Sequence, residues 1–298
     1  MAHPNGFRGT MTALITPMRD GQLDEEALRR LVQQQLDGGV EVLVPCGTTG
    51  EGATLTAEET TRVIRAVVEE AHGRAPVVAG CGSNSTATTI ANVERAKAAG
   101  AHGALVVTPY YNKPQQEGLY RHFEAVAQEG GLPVVLYNVP SRTSVDLAAA
   151  TVGRLSKVPG IVGVKEASGS VPRVLEILEH CEGRPFDLLS GDDGFTLAML
   201  ALGGDGVISV ASNVVPDRVA AIVQRFRAGD LKGAQAAQLA LNALVRALFV
   251  ETNPAPVKAA ARLLGLSRDE VRLPLWPASE ATRQKLSEAL QGLGIALA

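Results

Sequence analysis

The chain has 298 residues, of which 46% are hydrophobic and 20% charged, which is enough for one large domain or two small ones. Its formal net charge of -3 at pH 7 offers no basic field for a phosphate backbone, so we expect no nucleic-acid partner. No apolar run approaches the ~18 residues of a membrane span, and Met1 to Arg8 lack the apolar core of a signal peptide. These features predict a cytoplasmic protein with no membrane span.

Short runs rich in Val, Ile and Leu recur along the chain, each followed by Gly, Pro, Ser, Thr or Asn and then by a longer amphipathic segment. This alternation is typical of βα units. The predicted strands are Thr12–Ile15, Val42–Pro45, Val77–Gly80, Ala104–Thr108, Val134–Tyr137, Ile161–Lys165, Asp187–Ser190 and Gly206–Val210. Because these eight runs lack polar alternation, they suit parallel strands covered on both faces, and eight βα units predict a (β/α)₈ TIM barrel.

Helix signals agree with this division. Leu23–Leu36 opens at Asp24 with carboxylates in its first turn, and Thr56–Glu59 has the pattern of a capping box. After residue 230 the strand rhythm stops, and the segments Leu231–Phe249, Pro254–Leu264 and Ser279–Leu290 are predicted helices. We therefore predict a catalytic barrel over residues 1–230 and a C-terminal helical region over 231–298, packed either on the barrel or on a neighbouring subunit.

Barrel enzymes hold their active sites at the carboxyl ends of the strands. The segments at those positions are polar and distinctive. They read G-T-T-G-E (47–51), G-C-G-S-N (80–84), T-P-Y-Y-N-K-P (108–114), Y-N-V-P-S-R-T (137–143), K-E-A-S-G (165–169), S-G-D-D (190–193) and S-V-A-S-N (209–213).

Lys165 ends one of the predicted strands. A period of two places it on the same face as Ile161 and Gly163, and the missing side chain of the glycine leaves it room to point inward. Desolvation lowers the pKa of an amine and so prepares it to attack a carbonyl. The alternative is that Lys165 pairs with Glu166 at a solvated strand end.

Other strand ends offer groups for a carboxylate substrate. Gly47–Gly50 presents backbone N–H groups and the hydroxyls of Thr48 and Thr49, which suit a carboxylate, although a plain Gly-rich turn is the alternative. Arg142 could hold a second carboxylate through its guanidinium fork, or lie on the surface. Gly47–Gly50 is not followed by the Gly-Lys-Ser/Thr of a phosphate-binding loop, and Gly80-Cys81-Gly82 lacks the third glycine of a dinucleotide fingerprint, so no nucleotide is expected.

Three of the four tyrosines, Tyr110, Tyr111 and Tyr137, lie at the ends of predicted strands, where a phenol can relay a proton; aromatic packing is the alternative. The carboxylates at 51, 192 and 193 could suggest a metal, but the five histidines are dispersed. We interpret those carboxylates as helix caps and hydrogen-bond supports, and expect no metal. The three cysteines, at 46, 81 and 181, are odd in number and far apart, which predicts reduced, buried thiols.

Together these segments resemble the dihydrodipicolinate synthase family, within the pyruvate-dependent class I aldolases. The resemblance runs from about Gly9 to Pro277. It rests on G-T-T-G-E, T-P-Y-Y-N-K-P, Y-N-V-P-S-R-T, G-V-K-E-A, S-G-D-D, G-V-I-S-V and E-T-N-P-A-P-V-K, which occur in the family's order.

The resemblance implies that Lys165 forms an imine with pyruvate, whose carboxylate lies on Thr48 and Thr49. The resulting enamine would attack L-aspartate 4-semialdehyde in the diaminopimelate route to L-lysine. Tyr137, Thr49 and Tyr111 match the family's proton relay, with Tyr111 expected to reach in from a neighbouring subunit.

The remaining implied roles concern the two substrates and the assembly. Arg142 matches the residue that binds the semialdehyde carboxylate, and Gly191 and Ile208 match positions that line the pyruvate pocket. The family implies a homotetramer built as a dimer of dimers, with no cofactor.

The resemblance also bears on inhibition by L-lysine. In lysine-inhibited members the interface site uses a His and a Glu at positions that align here with Ala57 and Thr88, although Asn84 and Tyr110 match. Without a carboxylate to pair with the ammonium of lysine, we predict weak or absent inhibition.

Two other functions stay open. One is a related aldolase or lyase acting on a sugar acid, such as N-acetylneuraminate or a 2-keto-3-deoxy acid. Sialic-acid lyases tend to carry Ser-Thr where this chain has Thr48 and Thr49, and keto-sugar-acid aldolases often lack the Arg142 equivalent, so both features favour the synthase. The other is a non-catalytic barrel kept as a binding subunit, which the intact Lys, Tyr, Thr and Arg set disfavours.

Overall fold

The computed structural model describes residues 6–298, so the first five residues of the N-terminal segment considered above lie outside it. Within the described residues, none of the helices combines the length and the apolar character needed to cross a membrane.

Eight parallel strands form one sheet. They span Gly9–Ala13, Val42–Val44, Val78–Gly80, Gly103–Val107, Val134–Asn138, Ile161–Glu166, Asp187–Ser190 and Gly206–Ser209. Counted along the chain, their order in the sheet is second, first, eighth, seventh, sixth, fifth, fourth, third. A parallel bridge between Leu43 and Val77 joins the two ends of this order. The sheet is therefore the predicted (β/α)₈ barrel.

The first strand begins three residues earlier than predicted. Gly9 pairs with Gly206 and Thr12 with Ser209, so the pairing with the eighth strand recruits Gly9 to Met11 despite their low apolar content. A short antiparallel hairpin, Met18–Arg19 with Gln22–Leu23, was not predicted at all. Its turn contains Asp20 and Gly21, both with positive φ.

Helices follow the strands as the sequence predicts. They span Glu25–Asp37, Ala57–Ala71, Thr86–Ala98, Gln116–Glu129, Pro140–Thr143, Ala149–Leu155, Val171–His180, Thr196–Ala201, Pro216–Arg227, Leu231–Leu248, Ala255–Leu263 and Glu280–Gly292, with 3₁₀ turns at Asp193–Phe195 and Ala211–Asn213. Asp24 caps the first helix, accepting from the Ala27 N–H at 3.0 Å. The capping box of the second is also present, because Thr56 and Glu59 each accept from the backbone N–H of the other. Local cap chemistry thus sets where these helices begin.

The buried apolar side chains form two separate layers. One fills the barrel and includes Met11, Val44, Leu105, Leu189 and Ile208. The other, larger layer lies between the strands and the surrounding helices. A barrel packed in this way is closed in its middle, so a substrate has access only at the ends.

In the strand Ile161–Glu166, which contains Lys165, the side chains do not alternate strictly between the two faces. Val134 pairs with Ile161, but Val135 pairs with Gly163, so the register shifts by one residue. Ile161 therefore packs in the outer layer, and the prediction that it shares a face with Lys165 is wrong. Gly163 does share that face, because it pairs with Asp187, two residues before the inward-facing Leu189.

The three predicted C-terminal helices all form. The first of them packs on the barrel, where the Gln238 side chain donates to the Asp193 carbonyl at 3.0 Å and accepts from the Leu197 N–H at 3.2 Å. At least this part of the C-terminal region thus belongs to the body of its own chain.

Candidate active site

Lys165 lies inside the barrel near its carboxyl end. Its side chain is only 5% exposed, and Nζ is 4.4 Å from the centroid of the Tyr137 ring. The two residues are paired in register on neighbouring strands, so the backbone itself brings them together. A buried amine beside a phenol has the components of carbonyl chemistry: a nucleophile and a proton donor or acceptor.

The carboxylate that follows Lys165 in the sequence points elsewhere. Glu166 accepts from the Asn138 amide at 3.0 Å and from the Ser168 N–H at 2.6 Å. The alternative in which Lys165 pairs with Glu166 is therefore wrong, and strand alternation gives the reason: neighbouring residues face opposite sides of the barrel wall.

Gly191 packs closely beside the lysine. A Cβ at this position would lie 2.5 Å from the Ala167 Cβ and 3.1 Å from Lys165 Cε, closer than side chains tolerate. Ile208, which is 1% exposed, belongs to the apolar layer inside the barrel. Gly191 thus lies beside Lys165, and Ile208 shares its apolar layer with Tyr137, while their role in lining a pyruvate pocket stays a prediction.

Backbone contacts shape the loop after the second strand. Cys46 and Glu51 both have positive φ, and a Cβ on Gly52 or on Gly80 would lie within 2.3 Å of the Cys46 carbonyl oxygen. Only glycine permits this approach at the last two positions. The resulting turn presents Thr48 half-buried and Thr49 buried, at 3% exposure.

Thr49 is hydrogen-bonded by Asn253, a residue for which the sequence analysis predicts no role. The amide of Asn253 donates to Thr49 Oγ1 at 3.0 Å, and Asn253 is itself 6% exposed. The carbonyl of the same residue accepts from Arg142 Nη2 at 3.3 Å, although Arg142 is otherwise exposed. The available signal was the E-T-N-P-A-P-V-K segment, which stood out among the family motifs but lies outside the strand ends.

A buried ion pair holds the end of the same loop. The side chains of Glu51 and Lys258 are both fully buried and in contact, and Glu51 also accepts from the Arg272 N–H at 2.9 Å. Burial lowers the pKa of Lys258, and the Glu51 carboxylate opposes that shift. Glu51 is thus a hydrogen-bond support, as predicted, although its partners come from the C-terminal region.

The other two carboxylates are also supports. Asp192 accepts from the Gly194 N–H at 2.7 Å and caps a 3₁₀ turn. Asp193 accepts from Ser209 and from the N–H groups of Val210 and Ala211, and burial raises its pKa. It therefore ties the loop that carries Gly191 to the end of the strand that carries Ile208. Over residues 6–298, no group of three or more His, Cys, Asp or Glu side chains is arranged to hold a metal ion.

The two tyrosines after the fourth strand, Tyr110 and Tyr111, are much more exposed than Lys165 and Tyr137. Tyr111 is 88% exposed with a φ of 73°, and Tyr110 is 38% exposed, whereas Tyr137 is 7% exposed. Asn112 anchors the loop by donating to the Asn84 carbonyl at 2.8 Å. One chain therefore brings together Lys165, Tyr137, Gly191 and Ile208, and links Thr49 to Arg142, but leaves Tyr111 in solvent.

The three cysteines are free and buried, as predicted. Burial raises the pKa of the Cys81 thiol to about 12 and that of Cys46 further still. Because a thiol is nucleophilic only as its thiolate, these groups are poor nucleophiles at neutral pH. Lys165 is the better candidate for the attacking group.

Comparison with known proteins gives consistent matches over nearly the full length. The dihydrodipicolinate synthetase family matches residues 6–293. The 4-hydroxy-tetrahydrodipicolinate synthase of Anaeromyxobacter dehalogenans (strain 2CP-C) is 52% identical over 98% of this chain and 99% of its own. The crystal structure of dihydrodipicolinate synthase from Aquifex aeolicus has a TM-score of 0.95 at 45% identity, covering 98% of this chain and 99% of the other. A monomeric dihydrodipicolinate synthase variant also has a TM-score of 0.95, at 42% identity and 97% coverage of both chains.

Proposed function

The chain belongs to the dihydrodipicolinate synthetase family, and on that premise we propose that it is a 4-hydroxy-tetrahydrodipicolinate synthase, a lyase that condenses pyruvate with L-aspartate 4-semialdehyde. The product leads through diaminopimelate to L-lysine, and we assign the enzyme to the cytoplasm. The observation that carries the proposal is the buried Lys165 amine, 4.4 Å from the centre of the Tyr137 ring.

The reaction begins at Lys165. The amine attacks the C2 carbonyl of pyruvate, and loss of one water gives the imine. The hydroxyls and N–H groups of Thr48 and Thr49 hold the pyruvate carboxylate, which orients C3 for deprotonation to the enamine.

The second substrate enters from the mouth of the barrel. The enamine C3 attacks the aldehyde carbon of the semialdehyde, and the alkoxide that forms takes a proton. The amino group of the bound semialdehyde then attacks the imine carbon and displaces the Lys165 amine, which closes the ring and frees the enzyme. Arg142, exposed at the mouth and tethered to the Asn253 carbonyl, binds the carboxylate of this substrate.

Proton transfer needs a chain of hydroxyls. Tyr137 and Thr49 are buried in this chain, and we assign the third member of the relay to Tyr111 of a neighbouring subunit. Tyr111 is exposed on a backbone with positive φ, an arrangement that a partner's pocket would explain. We accordingly propose a dimer as the smallest active unit and a homotetramer, a dimer of dimers, as the assembly.

A substrate comparison tests the function. Purified protein should consume pyruvate only when L-aspartate 4-semialdehyde is present, and a coupled reductase should reduce the product. N-acetylneuraminate and 2-keto-3-deoxy acids, tested as cleavage substrates at the same concentration, should give a kcat/KM lower by about a hundredfold or more. Faster turnover of either sugar acid would replace the synthase proposal by the aldolase or lyase alternative.

A further inference from the structure

The segment Glu251–Lys258 reads E-T-N-P-A-P-V-K and belongs to the C-terminal region, yet it reaches the active site at two separate points. Asn253 contacts Thr49 through its side chain and Arg142 through its backbone. Lys258, five residues later, contacts Glu51. Of these residues, Asn253 alone touches groups assigned to both substrates.

The direction of the Asn253 bond has a chemical consequence. A threonine hydroxyl has one proton to donate and two lone pairs to accept with. The Asn253 amide donates to Thr49 Oγ1, so it occupies one lone pair and leaves the hydroxyl proton for another acceptor. Under the proposed function, that acceptor belongs to the proton relay that includes Tyr137.

The other atom of the amide has no partner among residues 6–298. Asn253 Oδ1 is buried and has no hydrogen-bond partner in the described chain. An unpaired buried acceptor is unfavourable, and a bound substrate or ordered water could supply the missing donor. The Asn253 amide nitrogen thus donates to Thr49, while the amide oxygen Oδ1 has no donor in the described chain.

We propose that Asn253 is a positioning residue that fixes the direction in which Thr49 donates its proton. It acts through Thr49 and takes no part in bond making. This inference rests on the proposed function, since it needs the Thr49 hydroxyl to belong to the proton relay. It adds a residue from the C-terminal region, outside the strand ends, to the set that controls the reaction.

The sharpest test reverses the polarity of the bond while keeping its shape. In Asn253→Asp an ionised carboxylate can only accept from Thr49, so the hydroxyl proton would turn toward that carboxylate and away from the relay. We expect kcat to fall by about a hundredfold in Asn253→Asp and about tenfold in Asn253→Ala, with KM for pyruvate within about threefold of wild type. Glu251→Gln, two residues away and bonded to Ser279 and Thr282 instead, is the control for disturbance of the segment and should keep wild-type kcat. Equal kcat in Asn253→Asp and wild type would overturn the proposal.

A double-mutant cycle with Thr49 separates positioning from general packing. In a Thr49→Val background, adding Asn253→Ala should lower kcat no further, because the hydroxyl that it orients is already gone. A further loss as large as in the wild-type background would show that Asn253 acts by another route and would overturn the proposal. If Asn253→Ala does not fold, as judged by near-ultraviolet circular dichroism, Asn253→Asp replaces it in the cycle.

Imine formation distinguishes this proposal from the proposed function. Wild type and the Asn253 variants should all be trapped on Lys165 by borohydride with pyruvate, because nucleophilic attack needs only the amine. Failure of trapping in wild type would refute the proposed function. Normal trapping and turnover in wild type, together with unchanged kcat in the Asn253 variants, would refute the positioning role alone.

Discussion

Two loops at the same end of the barrel differ sharply in how their backbone is held. The loop Gly47–Gly52 has positive φ at Glu51, and buried partners from the C-terminal region fix it: Asn253 on Thr49 and Lys258 on Glu51. The loop Tyr110–Lys113 has positive φ at Tyr111 and Lys113, yet its tyrosines are exposed. Strained backbone persists where its surroundings over-determine it. The first loop is therefore held within a single chain, whereas the second, within the described residues, lacks such contacts for its tyrosines, which fits the proposal that a neighbouring subunit receives Tyr111.

The largest expected effect comes from breaking the internally held loop. Lys258→Met removes one partner of a fully buried pair and leaves the Glu51 carboxylate without its counter-charge. We expect the free energy of unfolding to fall by about 3–5 kcal/mol, measured by urea denaturation. The double variant Lys258→Met with Glu51→Gln, which removes both charges and keeps an acceptor for the Arg272 N–H, should recover more than half of this loss. Stability unchanged in the single variant would show that the pair does not hold the loop.

For the exposed loop Tyr110–Lys113 we expect the opposite result, a small change in stability and a large change in activity. Tyr111→Phe removes a hydroxyl that lies in solvent in the single chain, so stability should stay within about 0.5 kcal/mol of wild type. If Tyr111 completes the relay of a partner, kcat should fall by about a hundredfold.

Complementation between subunits gives the control for this prediction. Tyr111→Phe and Lys165→Ala proteins, each nearly inactive, should regain activity when they are unfolded, mixed and refolded together. Mixed dimers would contain one site with both native residues. No recovery in dimers shown to be mixed would argue that Tyr111 serves its own chain or none.

A smaller effect is expected inside the pocket itself. Gly191→Ala brings a methyl group to 3.1 Å from Lys165 Cε and 2.5 Å from the Ala167 Cβ. We expect KM for pyruvate to rise about tenfold, because the lysine chain or the substrate must move aside. Gly183→Ala provides a control, since its Cβ meets nothing within 4 Å, although its positive φ carries a small loss of stability. An unchanged KM in Gly191→Ala would mean that the substrate lies elsewhere.

The smallest expected effect is that of L-lysine. Ala57 and Thr88 are exposed at the starts of two helices, and neither offers a carboxylate for the effector's ammonium. Steady-state rates should stay within about twofold of the uninhibited value at millimolar lysine. Half-inhibition at submillimolar lysine would contradict this. Thr88→Glu, alone or with Ala57→His, tests whether an added carboxylate makes the enzyme more sensitive to inhibition by L-lysine.

The sequence predicts which residues at the strand ends form the site, but it does not predict the distant contacts that hold them in place. Strand ends are local features, so the segments that carry Lys165, Tyr137 and Thr49 stand out from their composition. The contact of Asn253 with Thr49 joins positions 204 residues apart, and no local pattern reports such a pairing. The register shift that turns Ile161 outward was missed for a similar reason, because it arises between two strands. Exposure is likewise a property of the fold, so composition alone does not distinguish the exposed Tyr111 from the buried Tyr137; only the family resemblance, which places Tyr111 in a neighbouring subunit, points to the difference.

The central claim is that the buried amine of Lys165 bonds covalently to pyruvate. Borohydride reduction of the protein with pyruvate, followed by peptide mass analysis, tests it directly. We predict one stable adduct per chain, on the peptide that contains Lys165, and none in Lys165→Arg. An adduct on any other lysine, or no adduct in the wild-type protein, would contradict the account.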